Sequence, residues 1–185
     1  MKKEAILDST LELISELGVH NTPMSKVAKH SGVAVGTIYH HFNSKDEIIN
    51  ELYLQIKKEF GKRTQAALAD SNTPKEAFSN IFKAVYKYYT QNPLKFIFTE
   101  QVAFTPIITE ETKKKSQGYY QPVIDFFEEQ LSGGTFRKIP IELLGQLYYG
   151  NIKTLIQMKL SENDHLTGDI VEEAIYTSWI SFTEV

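Results

Sequence analysis

The sequence predicts an all-α protein, in which a small three-helix head is joined to a larger helical bundle and the helices number eight to nine in total. Three observations support this fold class. Apolar residues recur at helical spacing along nearly the whole chain, and no sustained strand-like alternation occurs. Prolines and glycines also punctuate the helical stretches at their ends. We place the head at residues 1–45 and the bundle at 46–185, with a helix from Lys45 linking them.

The head is expected to hold three helices. The first covers about residues 3–17 and stops at a glycine. The second follows Pro23, with Thr22 as its expected cap, and ends at Gly32. A turn of only a few residues leads into the third helix, "VGTIYHHF". The stretch at about 23–42 thus holds two helices joined by a tight turn that contains glycine. This arrangement is typical of a DNA-binding helix-turn-helix.

The later helices are longer, and prolines or capping residues mark where they begin. Asn43 or Ser44 is expected to cap the linking helix, and Thr73 to cap the next one, with Glu76 at its third position. The remaining helices are expected to begin near Pro93, Thr109, Pro140 and Thr167.

The composition excludes several classes of protein. The chain has no cysteine, which excludes disulfides and thiolate metal sites. No stretch approaches the roughly 20 apolar residues that span a bilayer. Asp8, Glu12 and Glu16 interrupt the first apolar stretch, so it is not a signal peptide. We therefore expect a cytoplasmic protein with no membrane partner.

The charge is unevenly distributed along the chain. The net charge is −3, yet residues 17–45 contain no Asp or Glu and carry Lys26, Lys29, Lys45 and four histidines. A surface that faces a polyanion needs such a stretch. On charge alone, a small solvated face explains the pattern equally well.

The third helix has an apolar side and an outward side on a helical wheel. The apolar side, expected to face helix one, is formed by Val33, Ile38 and Phe42. On or beside the outward side lie Gly36, Thr37, Tyr39 and His40. Gly36 costs helix stability, about 1 kcal/mol relative to Ala. We expect it to let the helix approach a phosphate or a base edge in the major groove, which accepts one helix.

The stretch "AILDSTLELISELGVHNTPMSKVAKHSGVAVGTIYHHFNSKDEIINELY" resembles the N-terminal domain of the TetR family of transcriptional regulators. The resemblance rests on the Gly-Val turn, the Gly-Thr-hydrophobic-Tyr-x-His-Phe helix and the Ser-Lys start of the next helix. Asp46 stands where the family often has Glu. The resemblance implies DNA-backbone contacts from Thr37, Tyr39, His40 and Lys45. It also implies that base edges or neighbouring phosphates are approached by Ser25, Val35, Gly36 and Thr37.

The adjacent histidines do not predict a metal site. Neighbouring helical residues point about 100° apart, so His40 and His41 cannot chelate one ion together. We expect His40 to donate to a phosphate and His41 to pack against helix one or cap the following turn. The usual catalytic motifs are absent from the sequence, which therefore predicts no catalytic residue, no cofactor and no enzyme. A helical enzyme or ligand-binding protein with an incidental motif is the remote alternative.

Aromatic residues are concentrated in the second part of the chain, where 20 of the 22 follow Lys45. For any one of them, core packing is the simpler interpretation. As a set they suit an apolar cavity for a small, largely apolar effector, and the resemblance also implies such a cavity. We place it among Phe82, Tyr86, Phe96, Tyr119, Val123, Tyr148 and Ile152.

The last two helices carry apolar residues over more than one face. This breadth is explained if one face packs against the core and another packs against a partner chain. The expected interface residues are Leu143, Leu147, Leu155, Val171, Ile175, Trp179 and Phe182. The resemblance implies a homodimer in which these helices form a four-helix bundle. Its two recognition helices would lie about 34–36 Å apart on a near-palindromic double-stranded DNA operator. A repressor released by its effector is the expected function, while a ligand-independent regulator or an activator fits the same residues.

Overall fold

The structure, a computed structural model, describes residues 2–161 and 166–183. Within these residues it contains ten helices and no strand. They are α1 (Lys2–Leu17), α2 (Met24–Ser31), α3 (Val35–His41), α4 (Lys45–Ala69), α5 (Pro74–Gln91), α6 (Pro93–Val102), α7 (Glu110–Gly118), α8 (Gln121–Ser132), α9 (Ile141–Leu160) and α10 (Gly168–Thr183).

The predicted fold class is confirmed, but the predicted number of helices is too low. The stretch from about Thr109 to Leu131, which the sequence predicts to form one helix or two, forms α7 and α8 with a break after Gly118. Pro122 lies in the first turn of α8, where its missing N–H has no intrahelical partner to lose. None of the helices in the described ranges is both long and apolar enough to cross a membrane.

The ends of the early helices follow the sequence signals, with one exception. Gly18 and Gly32 adopt left-handed φ values of 82° and 66°, as helix-ending glycines do. The Ser44 hydroxyl accepts from the Glu47 N–H at 3.1 Å and so caps α4. The expected cap at Thr22 is wrong, because its hydroxyl is buried and donates to the Gly18 carbonyl at 2.9 Å.

The chain forms two compact units that do not follow the expected boundary at Lys45. The first unit holds the residues up to Glu59 together with Asn92–Gly118, and the second holds Phe60–Gln91 and the residues from Tyr119 onward. The continuous helix α4 contributes its first part to one unit and its last part to the other. The division into a DNA-binding head and a ligand-binding bundle stays a prediction about function.

The first unit is built on α1, which packs against α2, α3 and α6. Ile6 and Ile14 of α1 are fully buried, as are Val27 of α2 and Ile38 of α3. The Ser15 hydroxyl also donates to the Leu94 carbonyl at 2.9 Å. These contacts fix the two short helices α2 and α3 on a longer support, which short helices need because they are marginal in isolation.

The second unit has an aromatic core centred on Phe78 of α5. Its fully buried ring packs at centroid distances of 4.7 to 6.3 Å against five other rings. Those rings belong to Phe127, Phe136, Tyr148, Trp179 and Phe182. Helices α5, α8, α9 and α10 are thereby joined by edge-to-face and tilted ring pairs.

Candidate DNA-binding surface

Helices α2 and α3 form a helix-turn-helix whose geometry follows from a few residues. Gly32 makes the left-handed turn that ends α2, and the Val33 N–H donates to the Ser31 hydroxyl at 3.3 Å. The three residues expected on the inward side of the motif, Val33, Ile38 and Phe42, are 7%, 0% and 2% exposed. Their burial anchors α3 and leaves its opposite side in solvent.

The outward side of α3 is open to solvent. Val35 and Tyr39 are 41% and 51% exposed, and His40 is exposed too. Apart from Gly36 itself, its chain neighbours and the backbone of its own helix, no heavy atom lies within 4 Å of a Cβ added at Gly36, so this part of the helix surface is unobstructed. Thr37 is half-buried on the same helix. A helix with this profile can lie in a groove about 12 Å wide.

The residues around α3 that were expected to contact DNA differ in their surroundings. Ser25, near the start of α2, is exposed. The Lys45 ammonium donates to the Val19 carbonyl at 2.7 Å, which ties the start of α4 to the turn after α1. An ammonium has three N–H donors, so this bond leaves two for a phosphate. The phosphate contact of Lys45 stays a prediction, and its structural bond was not foreseen.

The two histidines at the end of α3 are both exposed. Their rings meet edge to face with centroids 5.6 Å apart. The expected structural role of His41, which is to pack against helix one or to cap the following turn, stays a prediction for this exposed side chain. In the part of the chain that the structure describes, no cluster of three or more His, Asp or Glu side chains has a geometry for a metal ion.

The residues proposed to line an effector cavity are mostly core residues. Phe82, Val123, Tyr148 and Ile152 are buried in the second unit, where Tyr86 and Tyr119 are half-buried. Phe96 is also buried, but it belongs to the first unit. The Tyr148 hydroxyl donates to the Phe78 carbonyl at 2.7 Å, and burial raises the pKa of this tyrosine well above its ordinary value. Tyr148 is thus tied to the core, and the role of the set in binding an effector stays a prediction.

The set proposed for the dimer interface divides into surface and core residues. Leu143 and Leu147 are 47% and 46% exposed, as expected of apolar side chains that a partner chain would cover. Leu155, Ile175 and Phe182 are at most 5% exposed within the chain itself, and their place in an interface stays a prediction. Val171 and Trp179 are half-buried, and the Trp179 ring contacts that of Phe78. The sequence indicates that these helices are apolar on more than one face but not which face meets the chain's own core.

A groove of about 510 Å³ runs between α9 and α10 in the second unit. It is lined by Asn151, Thr154, Leu155, Ile170, Glu173, Ala174, Thr177, Ser178 and Ser181. Ile170 and Tyr176 of α10 are 39% and 49% exposed, and sequence reasoning missed both. Helix periodicity places Ile170 and Tyr176 on a different side of α10 from the buried Ile175. The sequence alone does not show that Ile175 lies on the buried side.

Comparisons with known proteins agree with this architecture. A family profile described as "Bacterial regulatory proteins, tetR family" matches residues 6–52, and one described as "Tetracyclin repressor-like, C-terminal domain" matches residues 74–183. The "Fatty acid metabolism regulator protein" of Bacillus subtilis (strain 168) is 26% identical over 151 residues, which cover 80% of this chain and 77% of that protein.

Solved structures show the same fold over the whole chain. A TetR-family transcription regulator from Shewanella sp. PV-4 superposes with a TM-score of 0.89 at 24% identity and covers 100% of both chains. The regulator FadR from Bacillus subtilis, solved in complex with stearoyl-CoA, has a TM-score of 0.73 at 21% identity and covers 98% of both chains. Since the second of the two family profiles alone spans more than half of the sequence, the chain belongs to the TetR family and is a DNA-binding transcription regulator, not an enzyme.

Proposed function

We propose that the protein is a repressor that binds a near-palindromic operator as a homodimer and is released by an effector with a long acyl chain. The observation that carries the DNA-binding part is the outward side of α3. It combines an open glycine, a half-buried threonine and a half-exposed tyrosine on a helix whose other side is anchored in the core. Ser25, Val35, Gly36, Thr37, Tyr39, His40 and Lys45 form this proposed DNA-binding surface.

The proposed dimer uses the exposed parts of α9 and α10. Leu143, Leu147 and Ile170 are apolar side chains that a single chain leaves in water. Burying such groups against a second copy removes apolar area from water, worth about 25 cal/mol per Å². A two-fold arrangement then presents two copies of α3 to two half-sites.

The proposed effector class rests on the aromatic second unit and on two relatives. The Bacillus subtilis relative at 26% identity is named for fatty acid metabolism, and a fold neighbour was solved with stearoyl-CoA bound. A long acyl chain is a largely apolar ligand, which suits a unit whose core is built from aromatic rings. The effector acts only through a difference in its affinity for the DNA-binding state and the released state.

The Tyr39→Ala variant tests the DNA-binding surface. Tyr39 offers a hydroxyl on a rigid ring, and its proposed partner is a phosphate, so its loss should weaken binding to every duplex alike. We expect about tenfold weaker affinity for an operator selected from random duplexes, measured by fluorescence anisotropy. Phe104→Ala is the control, since Phe104 is 82% exposed but lies outside α3. Equal affinity of the Tyr39→Ala variant and the control would remove Tyr39 from the surface.

Stearoyl-CoA tests the proposed effector class. We expect a saturating concentration to weaken operator affinity by at least about tenfold, a factor within the range of ordinary allosteric coupling. Coenzyme A alone, which lacks the acyl chain, should leave the affinity unchanged. If stearoyl-CoA binds but leaves operator affinity unchanged, or does not bind, the acyl effector is refuted and a ligand-independent regulator becomes the better interpretation.

A further inference from the structure

The exposed leucines of α9 share one stripe of the helix with an asparagine. Leu143, Leu147, Asn151 and Thr154 follow one another at spacings of four, four and three residues, so at 100° per residue they lie within about 80° of one another on the helix surface. All four are exposed. We call this set the α9 stripe. It runs from two leucines into the groove between α9 and α10, which Asn151 and Thr154 line.

The α10 side of this groove is built mainly from small side chains. Ile170, Ala174, Thr177 and Ser181 line it at helical spacing. Small side chains leave a depression between two helices, which the ridge of another helix can fill. A surface with projecting leucines at one end and a depression at the other suits a two-fold interface, because such an interface brings the same patch together twice.

Asn151 is oriented by a bond across the groove. Its side-chain amide donates to the Ser178 hydroxyl of α10 at 2.9 Å, and Ser178 is 3% exposed. A carboxamide has two N–H donors and a carbonyl oxygen that accepts. The bond to Ser178 uses one donor, so the other donor and the oxygen are available to a second chain.

A partner chain that covers the leucines of the α9 stripe also covers Asn151. At 1.5 Å per residue, Asn151 lies about 6 Å along α9 from Leu147, which is less than the width of one helix. A helix packed on Leu147 therefore takes Asn151 out of water. A polar group removed from water costs free energy unless it finds a new hydrogen-bond partner. Pairing that sets Asn151 opposite a leucine is thus disfavoured.

We propose that Asn151 fixes the register of the homodimer, because its remaining donor and acceptor pair with polar groups of the second copy only when the two chains are correctly aligned. The inference rests on the proposed function, from which it takes the homodimer. In coiled coils a single asparagine on an apolar seam selects one register and lowers the stability of the assembly. A slip by one helical turn would move one copy by about 5.4 Å along the other. Register matters for the proposed function because two copies of α3 must match two half-sites.

Two substitutions of Asn151 should change the dissociation constant of the dimer in opposite directions. Asn151→Leu extends the apolar seam, and we expect the constant to fall by at least about tenfold. Asn151→Asp keeps the shape of the side chain but places a charge where water is excluded, and we expect the constant to rise by at least about tenfold. Sedimentation velocity over a dilution series measures both, and circular dichroism checks that each variant keeps its helices.

Distances between spin labels test the register itself. The chain has no cysteine, so Lys159→Cys supplies one labelling site in each copy. Lys159 is exposed on α9, about 120° from the middle of the α9 stripe. We expect a single narrow distance between the labels in this background, and a broadened or divided distribution once Asn151→Leu is added.

Gln146→Leu is the matched control for the label experiment. Gln146 is an exposed amide residue of the same helix, about 100° from the middle of the α9 stripe. This substitution adds a leucine to α9 without removing Asn151, so the single distance should persist.

The failure of this inference differs from a failure of the proposed function. The proposal is overturned if Asn151→Leu keeps the single label distance, or if Asn151→Asp leaves the dissociation constant unchanged. Either result leaves the homodimer and its acyl effector standing. A wild-type protein that stays monomeric at every concentration refutes the homodimer and the register together. A wild-type dimer that ignores stearoyl-CoA refutes the effector alone.

Discussion

Replacing Gly61 with alanine should lower the free energy of unfolding by about 2 kcal/mol or more. In an open helix the same change would raise it by about 1 kcal/mol, because alanine is the better helix former. At Gly61 the new methyl group would lie 2.1 Å from the Tyr119 carbonyl oxygen and 2.7 Å from its carbon, both backbone atoms. Neither atom can move aside as the end of a flexible side chain would, so α4 or the backbone around Tyr119 must shift.

Urea unfolding of Gly61→Ala and Gly36→Ala at one protein concentration measures this effect. Gly36 is the matched control, since it also lies in a helix and an added Cβ would have no heavy atom within 4 Å beyond its chain neighbours and the backbone of its own helix. The two substitutions should change the free energy of unfolding in opposite directions. A Gly61→Ala variant as stable as the wild-type protein would show that the contact with Tyr119 yields at little cost.

Gly36→Ala should separate stability from DNA binding. We expect its free energy of unfolding to rise by about 1 kcal/mol, because α3 gains a better helix former. We expect operator affinity to fall by about tenfold, since a methyl group would occupy space that the proposed surface leaves open for a base edge or a phosphate. Stability and function would then respond in opposite directions to a single methyl group.

Chemical denaturation and anisotropy with the selected operator provide the two readouts for Gly36→Ala. The added methyl group carries no charge, so the dependence of affinity on salt should stay as in the wild-type protein. If operator affinity is unchanged or improved in the stabilised variant, Gly36 is not a point of close approach to DNA.

The helix-turn-helix was predictable because its signals are local. Gly32 marks the end of α2, and the spacing of Val33, Ile38 and Phe42 fixes which side of α3 faces inward. All of these residues lie within about a dozen positions of one another. Their geometry depends on helix periodicity and on one left-handed turn, both of which can be worked out without knowing the rest of the fold.

Contacts between residues far apart in sequence could not be predicted. Lys45 has the character of a phosphate ligand, and nothing in its neighbourhood along the chain indicates its bond to the Val19 carbonyl. Gln65 reads as an ordinary polar residue of a surface helix, yet its amide meets Tyr119 across 54 positions. A side chain that bonds to backbone leaves no complementary residue type for a sequence pattern to detect.

The apolar residues of α9 and α10 show the same limitation. Helix periodicity places Ile175 and Phe182 on one apolar face of α10, and it places Leu143 and Leu147 on an apolar face of α9. The face of α10 that packs inward is set by α5, because the ring centroids of Phe78 and Phe182 lie 6.0 Å apart. Only the folded arrangement shows that Phe182 belongs to the core and that the two leucines remain at the surface.

The most direct test of the account is whether the outward side of α3 determines which DNA sequence is bound. The measurement is selection from random duplexes with the wild-type protein, with Thr37→Val and with the control Thr90→Val, whose hydroxyl donates to the Tyr86 carbonyl in the second unit. Thr37→Val removes one hydroxyl and keeps the shape of the side chain. We predict that Thr37→Val selects a changed base preference within each half-site, while Thr90→Val selects the wild-type operator. Recovery of the same operator by all three proteins, with equal affinity, would contradict the assignment of α3 as the reading helix.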